Sequence, residues 1–175
     1  MSRHPANTPE ARTLFGPVQA SEFLREMISP WIQDLGLVVE ACSPAGAALR
    51  LPRNARLLRP GQTLSGPAVM ACADTAMAIA IMGQFGEFRN VATVNLTIDF
   101  MCPIAIGDIN ISATVRRAGR SLIFTECTFF EPRHREVAAH ATATWALISA
   151  AAVRRQQPDE LCQALDRTAP RSSPS

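Results

Sequence analysis

Lysine is missing from this 175-residue chain: its 17 basic residues are all arginine, set against 15 acidic ones for a formal charge of +2. The arginines are scattered singly or in pairs. That leaves no basic run to follow a nucleic-acid backbone, although isolated guanidinium groups suit the phosphates of small ligands. CxxC pairs are missing too, and no His, Cys, Asp or Glu cluster has metal-ligand spacing, so neither a metal nor a cofactor is expected. The five cysteines, at 42, 72, 102, 127 and 162, each lie in an apolar segment and read as reduced core thiols of a cytoplasmic protein. The opening stretch "MSRHPANTPEARTLFGP" lacks the apolar core of a secretory signal. The longest apolar run, Ala68 to Met82, would rise only about 22 Å as a helix, against a hydrocarbon core of ~30 Å. It is expected to be a core helix, with no membrane partner.

What is present is ample apolar material, 47% of the residues, enough for one domain with a proper core. The expected organisation is a flexible arm over 1–16, a single domain over 17–150, and a partly disordered tail over 151–175. Residues 18–35 carry Phe23, Leu24, Met27 and Ile28 at helical spacing, with Pro30 placed to split the segment. Residues 36–52 read as a hairpin turning at Ser43 to Gly46, and 53–63 as a loop with three arginines and a Pro-Gly turn. A long helix over 66–82 follows, with Met70, Met77 and Met82 as packing residues. The segment 91–101 alternates Ala92, Val94, Leu96, Ile98 and Phe100 against Thr93, Asn95, Thr97 and Asp99, the pattern of a strand with one buried face. Residues 108–117 and 121–131 form a second hairpin about "AGR" (118–120), and 136–148 a last long strand. Four long strands in hairpin succession must cover something apolar, and the central helix is the one element apolar on most sides. The fold class is therefore α+β, an antiparallel sheet wrapped around one long helix.

One residue disturbs that helix. Asp74 lies in the middle of "LSGPAVMACADTAMAIAI", and an ionised carboxylate in an apolar interior costs several kcal/mol unless it is paired. Either it is satisfied locally, by helix amides or Thr75, or it has chemistry to do; mid-helix amides are already engaged, which favours the second. At the start of the same helix the Gly66 amide has no intrahelical partner and points along the helix dipole. An anion or a polarised carbonyl oxygen fits there. Pro67 presets the helical angle where an N–H is not needed, and Ser65 reads as an N-cap rather than a nucleophile, since no histidine stands near it.

The order and spacing of these segments resemble the hotdog fold, and specifically the PaaI-like branch of the acyl-CoA thioesterases within the 4-hydroxybenzoyl-CoA thioesterase superfamily. "SGP" at 65–67 and "ADTA" at 73–76 are similar to that family's helix opening and acid turn, with Gly66 and Asp74 in its eight-residue spacing. "TVNLTIDFMCPIAIGD" looks like its following strand and Pro-x-x-x-Gly turn, here Pro103 and Gly107; "RRAGRSLIFTECTFFE" looks like its Arg-x-Gly-Arg hairpin, and "EVAAHATATW" like its last strand. The resemblance covers about residues 36–148. It implies hydrolysis of an acyl-CoA thioester, with Asp74 as general base or nucleophile, the Gly66 amide polarising the carbonyl, Thr93 at a position that places water, and Arg117, Gly119 and Arg120 on a hairpin that contacts CoA. Ser65 stands where the family usually carries His, Pro67 at its second Gly and Arg59 at its Asn; all three positions help hold the thioester.

Gly66 and Asp74 lie about 12 Å apart along one helix, too far to act on one carbonyl. The expected site is therefore shared across a homodimer, one chain giving the amide and the other the acid, with a dimer of dimers as the further assembly. Two other readings stand beside thioester hydrolysis. One is a non-catalytic acyl-CoA binding or sensor protein. The other is a hotdog hydratase or dehydratase, whose proton transfers call for a His that neither end of this helix has. Arg116, Arg117 and Arg120 as ordinary solvated charges, Thr93 as a plain strand residue and His140 as a core or interface histidine complete the alternatives.

Overall fold

The computed structural model describes residues 15–131 and 136–148. The expected tail, Cys162, His4 and His134 lie outside them. α1 (Pro17–Glu26) starts where Gly16 is capped by the Gln19 side chain, which accepts from the Gly16 amide at 3.0 Å, and Pro17 takes the first turn without needing a donor. A one-turn α2 (Pro30–Gln33) follows, so Pro30 does split the segment. Phe15, placed in the arm by sequence, is already buried, and its N–H donates to Gly86 O at 3.0 Å. The packed chain thus begins before residue 17.

β1 (Val38–Ser43) and β2 (Gly46–Leu51) form the expected hairpin. The Arg-rich loop holds a single 3₁₀ turn (Ala55–Leu57) and a two-stranded hairpin, β3 (Leu58–Arg59) and β4 (Thr63–Leu64), about Pro60 and Gly61. Then comes α3 (Gly66–Phe85), followed by β5 (Val91–Phe100), β6 (Ile109–Ala118), β7 (Leu122–Phe130) and β8 (Val137–Leu147). α3 is longer than its apolar run suggests. Its 20 residues would match a bilayer by length, contrary to the expectation from the 15-residue run; what marks it as a core helix is that most of it is enclosed by the domain's own sheet. It ends at Gly86, whose φ of 70° is the left-handed geometry that glycine adopts without strain.

The six long strands form one antiparallel sheet in the order β1-β2-β6-β7-β8-β5, curled around α3. The hairpin succession expected for the last four strands breaks after β5. The chain crosses the end of the sheet through 101–108, bridging Ala105 to Thr63, and β6 pairs with β2 while β5 lies beyond β8 at the far edge. α3 packs chiefly across β2 and β6, where Gly83 passes so close to the β1 turn that a Cβ there would lie 2.7 Å from Ser43 O. A buried polar knot ties the core: the Trp145 Nε1–H donates to Thr125 Oγ1 at 2.8 Å, and Met77 Sδ lies 3.0 Å from the same hydroxyl. Burying Trp145 without that acceptor would leave its N–H unsatisfied at a cost of about 1–3 kcal/mol. Cys42, Cys72 and Cys127 are buried free thiols, and burial pushes the Cys72 thiol up to about 12 and Cys127 further still. Cys102 is half-buried.

β5 departs from its sequence pattern in two ways. As an edge strand it is mostly exposed within the protomer, so it has no fully buried face. Its register also shifts between Thr93 and Asn95, a bulge with Val94 as the extra residue. Beyond the bulge Leu96, Ile98 and Phe100 pair with the inward-facing Ala143, Ala141 and Ala139, as the alternation requires. Before it, Thr93 pairs with the inward-facing Trp145. The bulge therefore puts Thr93 on the same face as Leu96, not opposite it. A similar shift at Ala138 turns Val137 outward, opposite Phe130.

Candidate active site

α3 is covered on most of its circumference, but one stripe is left open: Pro67 and Met70 are exposed and Asp74 is half-buried, at the i, i+3, i+7 spacing of one helix face. Met70 is thus a surface residue of this stripe, not the packing residue expected. The stripe runs beside the β5 edge, which exposes Val94, Phe100 and Met101.

Asp74 is not satisfied by its own helix. Thr75 donates its hydroxyl back to Ala71 O at 2.9 Å and takes no part. The partner of Asp74 is Thr93, whose Oγ1 donates to Asp74 Oδ1 at 2.8 Å. Partial burial pushes the Asp74 carboxyl above the usual aspartate value, and the Thr93 hydrogen bond pulls it part of the way back. One carboxylate oxygen is held while the stripe keeps the group open on its other side. That combination suits an acid or base working on a ligand that arrives from outside the protomer.

At the amino end of α3, the Gly66 N–H finds no acceptor among the described residues, while the neighbouring amides are engaged: Ser65 N–H donates to Leu57 O and Val69 N–H to Ser65 O. Ser65 occupies the N-cap position, but its side chain makes no capping bond; Pro67, two residues on, offers no N–H to accept. Gly66 faces Phe100, whose Cζ would lie 3.5 Å from an added Cβ. Around them opens a cavity of ≈ 400 Å³ lined by Arg59, Thr63 and Leu64 on one side and by Phe100 to Ile104 on the other. The Phe100–Ile104 wall was not legible as site material from sequence. Its only signal was large apolar residues at the exposed end of a strand.

The structure brings together Asp74 with Thr93, and Gly66 with Arg59, Ser65 and Pro67. It does not bring these two groups to each other, since α3 is one continuous helix and about 12 Å separates its acid from its free amide. The β6–β7 hairpin lies at the Asp74 end of the sheet, with Gly119 N–H closing the turn on Leu122 O at 2.8 Å and Arg120 exposed on it. Arg117 pairs with Phe124 on the outer face, away from Asp74. Arg116, at a bulge, joins Glu126 at 3.3 Å, and His140 lies 3.9 Å from Glu126 on that outer face, half-exposed. No group of metal-ligating side chains occurs among the described residues.

Residues 61–138, which hold Gly66, Asp74, Thr93 and the β6–β7 hairpin, match the family model described as the thioesterase superfamily. A candidate esterase of Thermoplasma volcanium, TV1331, is 33% identical over 81 residues, 46% of this chain and 60% of its own length. Zebrafish thioesterase superfamily member 2 superposes with a TM-score of 0.68 at 23% identity, over 75% of this chain and 98% of that one. The Escherichia coli PaaI protein from the phenylacetic acid degradation operon gives 0.64 at 20% identity, over 76% and 96%. Those two structures speak for the fold alone. Together the comparisons establish the hotdog fold, shared with PaaI, and a similarity of residues 61–138 to the thioesterase superfamily.

Proposed function

We propose that the protein hydrolyses an acyl-CoA thioester in a homodimer, with Asp74 of one protomer acting on a carbonyl held by the Gly66 amide of the other. The observation that carries this reading is the Thr93–Asp74 pair, set on the open stripe of α3 beside an unpaired edge strand. A free sheet edge invites a second strand, and an antiparallel copy of β5 would set two α3 helices side by side in opposite directions. The acid of each then faces the free amide of the other.

In the general-base form, a water oxygen bonds to the thioester carbon as Asp74 takes one of its protons. The carbonyl electron pair moves to oxygen, where the Gly66 N–H and the helix dipole stabilise it. Collapse of that intermediate breaks the C–S bond, and the proton passes from Asp74 to the departing thiolate, leaving the free acid and CoA. In the nucleophile form Asp74 itself bonds to the carbon, the thiolate leaves, and water opens the mixed anhydride. Single turnover in ¹⁸O-water separates them, since label in Asp74 identifies the anhydride. Arg120, exposed at the acid end, and Arg59, at the amide end, are the cations placed to meet CoA or the acyl group.

The test is thiol release from a panel of short, long and aryl acyl-CoAs, with wild type and Asp74→Asn. Turnover lost in the variant with binding retained supports hydrolysis. Tight binding with no turnover by wild type on any substrate would instead assign a binding or sensor role.

A further inference from the structure

The cavity at the amino end of α3 is lined largely by apolar residues, and its wall carries one charge. Arg59 lines it, and among the described residues Arg59 makes no ion pair; the paired arginines are Arg25, Arg50, Arg89 and Arg116. Opposite Arg59 in the β3–β4 pairing is Thr63, whose hydroxyl oxygen is enclosed without a hydrogen-bond partner among the described residues. The same cavity is lined by Gly66, whose amide is free. Val69 and Phe100 line the same cavity, so an acyl group whose carbonyl oxygen lay on that amide would have apolar side chains beside it and Arg59 within the same space.

We propose, resting on the thioesterase reading above, that Arg59 sets the acyl specificity by pairing with a carboxylate at the far end of the acyl group, so that the substrates are thioesters of short dicarboxylic acids. A guanidinium fork matches a carboxylate in a two-point, charge-assisted contact. The cavity volume, near the lower end for small-ligand sites, fits a short chain. The other anion of such a substrate is the phosphate of CoA, but the pantetheine arm separates it from the thioester that Gly66 receives.

The experiment compares kcat/KM for adipyl and hexanoyl thioesters, each on CoA and on phosphate-free N-acetylcysteamine, in wild type and Arg59→Met. A charged hydrogen bond of this kind corresponds to a preference of about ten- to a hundredfold. The expected result is that preference for adipyl on both carriers, with the adipyl-to-hexanoyl ratio falling to near one in Arg59→Met. Equal turnover of the two acyl groups by wild type overturns the proposal. So does a loss in Arg59→Met that is the same for both acyl groups and confined to the CoA carrier, which assigns Arg59 to a phosphate. Should wild type turn over no thioester, the hydrolase reading fails separately, and calorimetric binding of the same two CoA thioesters to wild type and Arg59→Met still reads the carboxylate preference.

Discussion

Thr93 reaches Asp74, at 2.8 Å, because β5 bulges at Val94. Without the extra residue Thr93 would face outward, opposite Leu96, and the carboxylate would have no hydroxyl beside it. The bond favours the ionised carboxylate, against the burial that raises its pKa. Thr93→Val removes only the favourable part. The acid limb of kcat/KM is therefore expected above the ordinary aspartate value in the wild type and at still higher pH in Thr93→Val. A pH-rate profile showing the limb unmoved, or moved down, would separate Asp74 from the titration.

Asp74→Asn is expected to lower kcat by about 10²–10⁴, the usual worth of a positioned acid or base. Its stability should run the other way. A carboxyl whose folded pKa is raised binds more protons folded than unfolded, so ionising it costs stability as pH rises from the unfolded value through the folded one. Above the folded pKa that cost is fully present, and the amide removes it. Thermal denaturation at pH 7 should give Asp74→Asn a Tm equal to or above that of the wild type. A clear fall would mean the carboxylate is a structural support.

Gly83 is fixed by packing. Alanine gains up to about 1 kcal/mol in helix propensity. Its Cβ, however, would lie 2.7 Å from Ser43 O and 2.9 Å from Cys42 Sγ, and the backbone oxygen cannot rotate aside. Overpacking of this sort costs about 1–3 kcal/mol, so Gly83→Ala should unfold at lower denaturant with an unchanged slope. By contrast Gly66→Ala meets only ordinary contact with Phe100, and should keep its fold while losing activity as the methyl crowds the ligand.

If the proposed site is shared, assembly and activity are inseparable. Val94 stands exposed on the β5 edge, where a charge discourages strand pairing. Val94→Lys is expected to shift the protein from dimer to monomer in light scattering, with native circular dichroism retained and thiol release lost in parallel. A wild-type monomer with full activity would overturn the shared site.

Much of this molecule follows from local pattern. The period-two alternation of β6 and β7, the apolar run of α3 and the turns at Ser43–Gly46 and Gly119 each show in a few residues, because a face turned to the core or a backbone bend restricts residue type directly. The spacing of Gly66 and Asp74 on one helix is likewise a property of the chain. Three features are not. The placement of β5 beyond β8 depends on a crossover whose residues, 101–108, carry no pairing preference of their own. The bulge at Val94 leaves an unbroken alternation in the sequence, since an extra residue is defined only by the partner strand opposite it. And the cavity that joins Arg59 and Gly66 to Phe100 gathers two distant segments, 59–69 and 100–104. Sequence by itself determined that a helix would carry a free amide at its start and an acid two turns on, since helical periodicity is local; only the tertiary structure decided that the acid has Thr93 for a neighbour and an open side, because sheet order and register arise from contacts between strands far apart in the chain.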